Sequence, residues 1–304
     1  VHRALWLTLS ACALAHGAAE LYCSITGEIT YDTNIPRNIT EYAGWYAAPS
    51  MFAKLGSTNE RNPLSVWAAV NYENHVEERS AVLNPPFARG GVSLNFSPPA
   101  IDIGLDLSYA SYHYSTWEIT RNRYRLDIDF TKAIGRNTLY LHTENMVNDY
   151  GDNDDDGVRV EGTLGWRHDL RVLKSEKFAL RDVGLSGELE HNAARSDTSS
   201  YLYGKLGVDG EIKLWAVALE IGAAAAYRKY RGIREHPHTR EELYPENTYL
   251  FADSELRIPL PLDFEVALRG KLRFKTSTYP SYEYDRHTVG IRLRWNDRVR
   301  FGRS

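Results

Sequence analysis

Charged side chains occupy alternate positions in several segments of this 304-residue sequence, and ionised groups are the ones that steer and bind polar solutes. Residues at every second position share one face of a β-strand. The spacing predicts two charged surfaces, which we call the basic wall and the acidic wall. The basic wall consists of Arg269, Lys271, Arg273, Lys275, Arg292 and Arg294. The acidic wall consists of Asp102, Asp106, Asp127, Asp129 and Glu144.

A second candidate site is the acidic run that contains Asp152, Asp154 and Asp156 and ends at Gly157. Oxygen ligands at positions one, three and five, followed by Gly at six, are how a helix-loop-helix calcium loop begins. Position twelve is Thr163, so the bidentate Glu of such a loop is missing. Two interpretations remain open, a weak calcium site and a solvated acidic loop. We expect no other cofactor.

A possible catalytic motif lies at residues 190–196, where His191 and Asn192 precede Ala193 and Ala194. It resembles the His-any-Ser-Asn-Gly motif of outer-membrane phospholipase A. Ala193 stands where that family has its nucleophilic Ser, and without a hydroxyl no acyl-enzyme can form there. The sequence therefore predicts that the protein is not an enzyme.

The overall composition limits the classes of protein that could carry these charges. A formal net charge of −4 excludes a basic nucleic-acid-binding protein, and a mean hydropathy of −0.45 is too polar for a helical membrane protein. A transmembrane β-barrel is compatible with both values, because only every second residue of its strands faces lipid.

The pattern of the whole chain is one of strands. About fourteen runs of alternating residues (12 to 16), each near the 9 to 11 residues that cross a bilayer, are joined by links that are short and long in turn. Residues 101–114 and 123–131 are the clearest. We predict an all-β protein, a single closed antiparallel up-and-down transmembrane barrel with both termini in the periplasm. The alternative, an exported soluble β-sandwich or β-helix, does not explain the alternating links.

The beginning of the chain predicts export. His2 and Arg3 precede an apolar run that ends in small residues, as in a secretory signal peptide. An alternative takes Cys12 as the lipidated residue of a lipoprotein. We expect a signal peptide over residues 1–19, the barrel over 20–296 and a short periplasmic tail over 297–304.

The last strand carries a family resemblance. Four residues of this strand match the polar, Gly, hydrophobic and aromatic positions of the insertion signal of bacterial outer-membrane β-barrels: Thr288, Gly290, Leu293 and Trp295. The chain therefore resembles a porin-like outer-membrane barrel. The resemblance implies a bacterial outer-membrane location, recognition by the barrel assembly machinery, and a surrounding lipid bilayer with lipopolysaccharide.

The first strand adds a second resemblance. Residues 31–37 are similar to the Tyr-Asp-any-Asn opening strand of barrels in surface-lipoprotein assembly modifiers and in exopolysaccharide-operon outer-membrane proteins. Those modifiers usually also have a helical-repeat periplasmic domain, which this sequence does not show. Passage of a polysaccharide or another solute remains compatible with the resemblance.

These observations predict a porin-like channel that passes or exports polar or anionic solutes, or polysaccharide, through a charged lumen with the two walls opposite each other. Nucleic acid is not an expected partner. One alternative is that the charges only brace the wall, with Arg269 paired to Glu255 or Arg292 to Glu28. The corresponding function is a structural or surface-interaction barrel with a blocked lumen and loops that bind a ligand or calcium.

Overall fold

A computed structural model describes residues 18–33, 43–57, 64–71, 74–75, 87–96, 101–114, 119–149, 156–170, 178–235, 242–279 and 283–302. The described residues form strands and their connections. The strands are β1 (Ala18–Asp32), β2 (Gly44–Ala47), β3 (Ser50–Ser57), β4 (Leu64–Asn71), β5 (Asn74–His75), β6 (Phe87–Phe96), β7 (Asp102–Tyr114), β8 (Ile119–Ile134), β9 (Asn137–Asp149), β10 (Gly157–Asp169), β11 (Phe178–Ala194), β12 (Tyr201–Leu214), β13 (Val217–Tyr230), β14 (Arg234–Glu235), β15 (Glu242–Leu243), β16 (Glu246–Pro259), β17 (Phe264–Ser277) and β18 (Tyr284–Gly302).

Sixteen of these strands form one antiparallel sheet in which neighbours in the chain are neighbours in space. β2 and β3 both pair with β1 and are two segments of one line, interrupted at Ala48 and Pro49, where the proline has no N–H to give to a ladder. β4 and β5 likewise pair with β3 and β2. The sixteen strands therefore form fourteen lines, and the predicted all-β, up-and-down order with about fourteen strands is confirmed.

The last strand of the sheet also pairs with the first. The register runs from Ala18 opposite Gly302 to Asp32 opposite Thr288, without a break. The pairing order that ends at β18 thus continues at β1, and both strands have a partner on each side.

The connections differ in length at the two ends of the strands. At one end, which we call the turn end, residues 135–136, 215–216 and 260–263 join strands in a few residues. Gly135 has a φ of 61° there, and Trp215 adopts a φ of 54°, a left-handed conformation that costs a non-glycine residue about 1 kcal/mol. The other end, which we call the loop end, has longer connections at 195–200, 231–245 and 278–283. The predicted alternation of short and long links is present in these segments.

The two faces of the sheet have opposite chemistry. Large apolar side chains such as Leu206, Leu164 and Ile291 lie exposed on the outer face. The alternate positions carry polar residues that are buried, among them Asp127 and Glu144. A water-soluble protein buries the apolar set instead, so this inverted pattern is that of a barrel whose outer face meets lipid. Among the described residues, no helix is long and apolar enough to cross a membrane.

The ends of the sheet differ from the predicted segment boundaries. β1 starts at Ala18, inside the segment predicted as a signal peptide, while residues 1–17 lie outside the described part. β18 continues to Gly302, so residues 297–302, assigned to a tail by the sequence, pair with β1 instead. The Tyr22 hydroxyl donates to Asn296 Oδ1 at 2.7 Å and holds this part of the ladder. Cleavage of a signal peptide stays a prediction.

Candidate functional site

The polar face of the sheet is its concave, inner face. Alternate strands of a sheet lie about 9–10 Å apart, so side chains that bridge over an intervening strand can meet only where the sheet curves towards them. Four ion pairs do this: Arg167–Asp209 at 2.8 Å, Arg257–Glu211 at 3.0 Å, Arg269–Glu28 at 2.8 Å and Arg292–Glu255 at 2.6 Å. The eight residues of these pairs therefore share one face of the sheet, and Arg269 and Arg292 of the basic wall are among them.

The deepest part of the acidic wall forms ion pairs with arginine. Arg125 on β8 lies 2.6 Å from an Asp127 oxygen and 3.0 Å from Glu144, and Arg159 on β10 lies 2.6 Å from the other Glu144 oxygen. Both carboxylates are buried. Arg159 also lies 3.6 Å from Glu190, so the same guanidinium links the acidic wall to β11. Two guanidinium groups therefore contact four carboxylates, including that of Glu161, and offset only part of the negative charge.

The rest of the acidic wall is more accessible to water. Asp106 accepts a hydrogen bond from Ser93 at 2.5 Å, and Asp129 lies 2.7 Å from His142 Nδ1. Asp102 is exposed near the turn end. β8 and β17 are separated by half of the pairing order in both directions, so the carboxylates of β8 lie as far from the basic wall as two lines can.

The basic wall divides into two halves. In its turn-end half, Arg269 lies 2.8 Å from Glu28 and 2.9 Å from Glu255, and Arg292 lies 2.6 Å from Glu255. Arg294 lies 3.7 Å from Glu265. The bracing alternative predicts the Arg269–Glu255 pair, which is present. Its other pair is wrong, because Glu28 is occupied by Arg269 and Arg292 reaches across β17 to Glu255.

The loop-end half of the basic wall contacts aromatic rings. The guanidinium carbon of Arg273 lies 5.1 Å from the centre of the Phe251 ring, and Lys275 Nζ lies 5.7 Å from the Tyr249 ring and 5.4 Å from the Tyr284 ring. Lys271, in the middle of β17, is exposed, and Asp253 opposite it on β16 is exposed as well. No ion pair joins Lys271 or Arg273 to a carboxylate within the described part of the chain.

An aromatic group beside this half is not among the residues that the sequence predicted. Arg228 on β13 lies over the rings of Tyr201, Tyr203 and Tyr249, with its guanidinium carbon 4.1, 5.1 and 5.7 Å from their centres. Tyr249 stacks on Phe251 with 5.8 Å between ring centres. The sequence does carry a signal for this group. On β12 and β16 these aromatic residues alternate with leucines that face outward, so the aromatic residues are expected on the inner face.

The residues of the assembly signal lie on both faces of β18. Leu293 is exposed on the outer face, where the alternate position Trp295 also points. Gly290 lies on the inner face against β1, and a Cβ added there would approach Thr30 Oγ1 to 2.6 Å and the Ile29 carbonyl oxygen to 3.1 Å. The close approach of β1 thus explains a glycine at this position of the motif.

Three groups of residues are candidates for a metal site: the predicted calcium loop and two clusters on the inner face. Asp152 and Asp154 lie outside the described residues, and the Asp156 carbonyl accepts the Arg195 amide at 2.7 Å, so a weak calcium site stays a prediction. The side chains of Asp127, His142 and Glu144 are close enough to share an ion, as are those of Glu161, Glu188 and Glu190. Arginine or lysine contacts both groups and already supplies the positive charge.

The phospholipase-like segment places Ala193 on the lipid-facing side of the sheet. Ala193 lies on the outer face near the loop end of β11, opposite Val158, and is exposed there. A nucleophile at this position would face away from the polar interior.

Comparison with known proteins agrees with this architecture. No protein-family model matches the chain, and no curated protein matches it. A solved structure described as a bacterial polysaccharide outer membrane secretin is similar with a TM-score of 0.51 at 14% identity, over 93% of this chain and 99% of that chain. The OccK2 (OpdF) structure of Pseudomonas aeruginosa in complex with glucuronate matches with a TM-score of 0.46 at 8% identity, over 92% of this chain and 98% of that chain.

The class of protein follows from the fold and the surface together. An antiparallel sheet of about fourteen lines with an apolar outer face and a polar inner face has the fold of a porin-like outer-membrane β-barrel. The bacterial outer membrane is the location that this class occupies.

Proposed function

We propose that the chain is a closed transmembrane barrel with both termini in the periplasm and that it conducts polar solutes, anions in preference, through its interior. The observation that carries the proposal is the exposure of Asp253 and Lys271. Both lie midway along their strands on the inner face, and both are accessible to water. If side chains filled the interior, both residues would be buried. Their exposure therefore indicates water-filled space on the inner side of the sheet.

The number of lines supports an interior with free space. Barrels of eight strands are just wide enough for side chains to fill them, and those of 16 to 18 leave an aqueous channel. Fourteen lines lie between these sizes. The ion pairs of the turn-end half narrow the interior there, while the loop-end half retains accessible charge.

The sign of the charge favours anions. Arg125 and Arg159 offset part of the charge of the buried carboxylates of the acidic wall, whereas Lys271 and Arg273 keep their charge without an ion pair among the described residues. Rings or rows of basic side chains favour anionic cargo. The shared fold of a polysaccharide outer membrane secretin supports a saccharide as one such cargo.

The proposed surroundings are those of other barrels of this class. The outer face would contact the lipid bilayer and lipopolysaccharide, and β18, with Thr288, Gly290, Leu293 and Trp295, would be recognised by the barrel assembly machinery. A signal peptide over residues 1–19 would direct export. No enzymatic activity is part of the proposal.

The first prediction concerns ion selectivity. The purified protein in a planar bilayer is expected to conduct, and reversal potentials in a potassium chloride gradient should show anion preference. Lys271→Glu with Arg273→Glu should shift the reversal potential towards cations, since four units of charge change in the lumen. Lys132→Glu, at an exposed outward position of β8, is the matched control and should leave selectivity unchanged.

Two results would count against the channel. Absence of conductance in protein that keeps its β-sheet circular dichroism would favour the alternative, a structural or surface-interaction barrel with a blocked lumen. An equal shift from Lys132→Glu would show that the selectivity arises outside the lumen.

A further inference from the structure

We propose that the loop-end half of the inner wall, where β16 and β17 adjoin β13, is a binding subsite for a carboxylated sugar. The sugar carboxylate would bind Arg273 and Lys271, its apolar ring face would pack on Phe251, and its hydroxyls would donate to Asp253. The inference rests on the proposed function, because the ligand must reach this wall through the lumen.

The first argument is the state of the cations. Lys271, Arg273 and Arg228 form no ion pair with a carboxylate of the described chain, in contrast to Arg269 and Arg292 on the same wall. The Nε atom of Arg228 is buried and makes no hydrogen bond. Arg228 and Arg273 are partly buried, and a partly buried cation without a carboxylate partner is costly, because contacts with aromatic rings offset that cost only in part. The N–H donors of Lys271 and Arg273 are therefore available to an anion.

The second argument is the pair of stacked aromatic rings beside the cations. The rings of Tyr249 and Phe251 are almost parallel, with 7° between their planes and 5.8 Å between their centres. Tyr249 is buried by its neighbours, whereas Phe251 is only half-buried. Ligand sites typically combine such aromatic surfaces with a few placed polar groups. The accessible part of Phe251 would receive the carbon-bound hydrogens of a sugar ring.

The third argument is the register of β16 and β17, which places these groups opposite each other. Phe251 is the direct partner of Arg273, and Asp253 is the direct partner of Lys271 on the neighbouring strand. Side chains of directly opposed residues lie about 5 Å apart at Cβ, which matches the distance across one monosaccharide. A uronic acid carries a carboxylate, a ring and hydroxyls within that span. A single sugar residue can therefore contact the side chains of Arg273, Lys271, Phe251 and Asp253.

The fourth argument is the space in front of the platform. On β13, the direct partners of Phe251 and Asp253 are Ala224 and Gly222. Asp253 leans over Gly222, where a Cβ would come within 3.0 Å of its carboxylate. Ala224 and Gly222 thus place no bulky side chain at these two successive inner positions. The Asp253 carboxylate repels any anion, and hydroxyl groups that donate to it offset that repulsion, so it favours a sugar acid over a simple carboxylate.

The test uses the full chain in planar bilayers and follows block of the current by three probes of matched length. They are an oligogalacturonate tetramer, a neutral maltotetraose, and tetraglutamate, which has carboxylates but no sugar ring. The oligogalacturonate is expected to block at a concentration about tenfold lower than either of the others. Equal block by oligogalacturonate and tetraglutamate would overturn the assignment to a sugar, and equal block by maltotetraose would overturn the role of the cations.

Two variants separate the roles of the side chains. Phe251→Ala should raise the blocking constant of oligogalacturonate about fivefold and that of tetraglutamate by less than about twofold, because the sugar ring packs on Phe251 whereas tetraglutamate depends on it only through its contact with Arg273. Arg273→Gln should weaken both anions about tenfold. Lys132→Gln on the outer face is the control and should change neither. An unchanged constant in Phe251→Ala contradicts the proposed platform.

The binding subsite can be tested independently of whether the protein conducts. Should the protein fail to conduct, isothermal titration calorimetry of the detergent-solubilised chain with oligogalacturonate reports binding without requiring transport. Binding that is lost in Arg273→Gln would support the subsite even with the channel disproved. A conducting protein that binds no oligogalacturonate in either measurement would leave the channel in place and disprove the subsite.

Discussion

At the scale of single residues, arginines on the inner face differ in whether a carboxylate of the protein already binds them. Arg269 has two carboxylate partners, and Arg273, two inner positions further along the same strand, contacts a ring instead. The sequence predicted both as members of one basic wall. It could not separate them, because the pairing depends on carboxylates from β1 and β16 that are distant in the chain.

Gly290 provides a residue-scale prediction about stability. A side chain at this position would contact Thr30 of β1, so Gly290→Ala should lower the free energy of unfolding by about 1–3 kcal/mol. Gly27 on β1 has nothing within 4 Å of an added Cβ and is the matched control. Gly27→Ala should be neutral or slightly stabilising. Urea-induced unfolding in detergent micelles measures both, and an equal loss in the two variants would contradict the explanation from close packing.

At the scale of elements, the junction of β1 and β18 is held by more than its ladder. Near the loop end, Arg286 Nε donates to both oxygens of Asp32 at 3.0 and 2.8 Å, and Asp32 is fully buried. The amide of His287 donates to Thr33 Oγ1 at 2.8 Å. The Tyr-Asp-Thr opening that resembles other barrel families therefore has a local role here, as the part of β1 that fixes β18.

The element-scale prediction is that Asp32→Asn weakens this junction. Removing one partner of a buried ion pair costs about 3–5 kcal/mol, since it leaves an uncompensated charge. We expect the temperature at which the folded band disappears in semi-native electrophoresis to fall markedly. Asp129→Asn is the control, because that carboxylate is half-exposed and should matter little. A comparable fall in both variants would mean that the lost charge, rather than the junction, is responsible.

The elements themselves were predictable to a large extent. Alternation of residue types determines which side chains share a face, and that pattern held from β6 to β18 because lipid outside and polar groups inside impose it on every strand. The ion pairs that bridge over a strand were not predictable. Arg292 pairs with Glu255 because the strands are staggered relative to one another, and the stagger of a barrel is a property of the whole sheet. The aromatic group around Arg228 was missed for a related reason, since it joins three strands.

At the scale of the whole molecule, the inverted distribution of polarity makes a prediction about access. In a background where Cys12 and Cys23 are replaced by Ser, Lys271→Cys should react with a membrane-impermeant thiol reagent when the protein is in liposomes. Leu206→Cys should not, because its position on the outer face is embedded in lipid. Mass spectrometry measures the modified fraction. Reaction of both positions at similar rates would contradict the assignment of the two faces.

The contact between Asp32 and Arg286 also has a consequence for how the protein folds. Its two residues are 254 positions apart in the chain, and the Arg269–Glu28 pair is separated by 241. Contacts of such long sequence separation form late and slowly, because the loop between them must be ordered first. Until β18 arrives, the hydrogen-bonding edge of β1 is open to pairing with other chains. The protein therefore needs a means of shielding β1 during synthesis, and its yield of folded barrel should depend on how quickly the last strand is delivered.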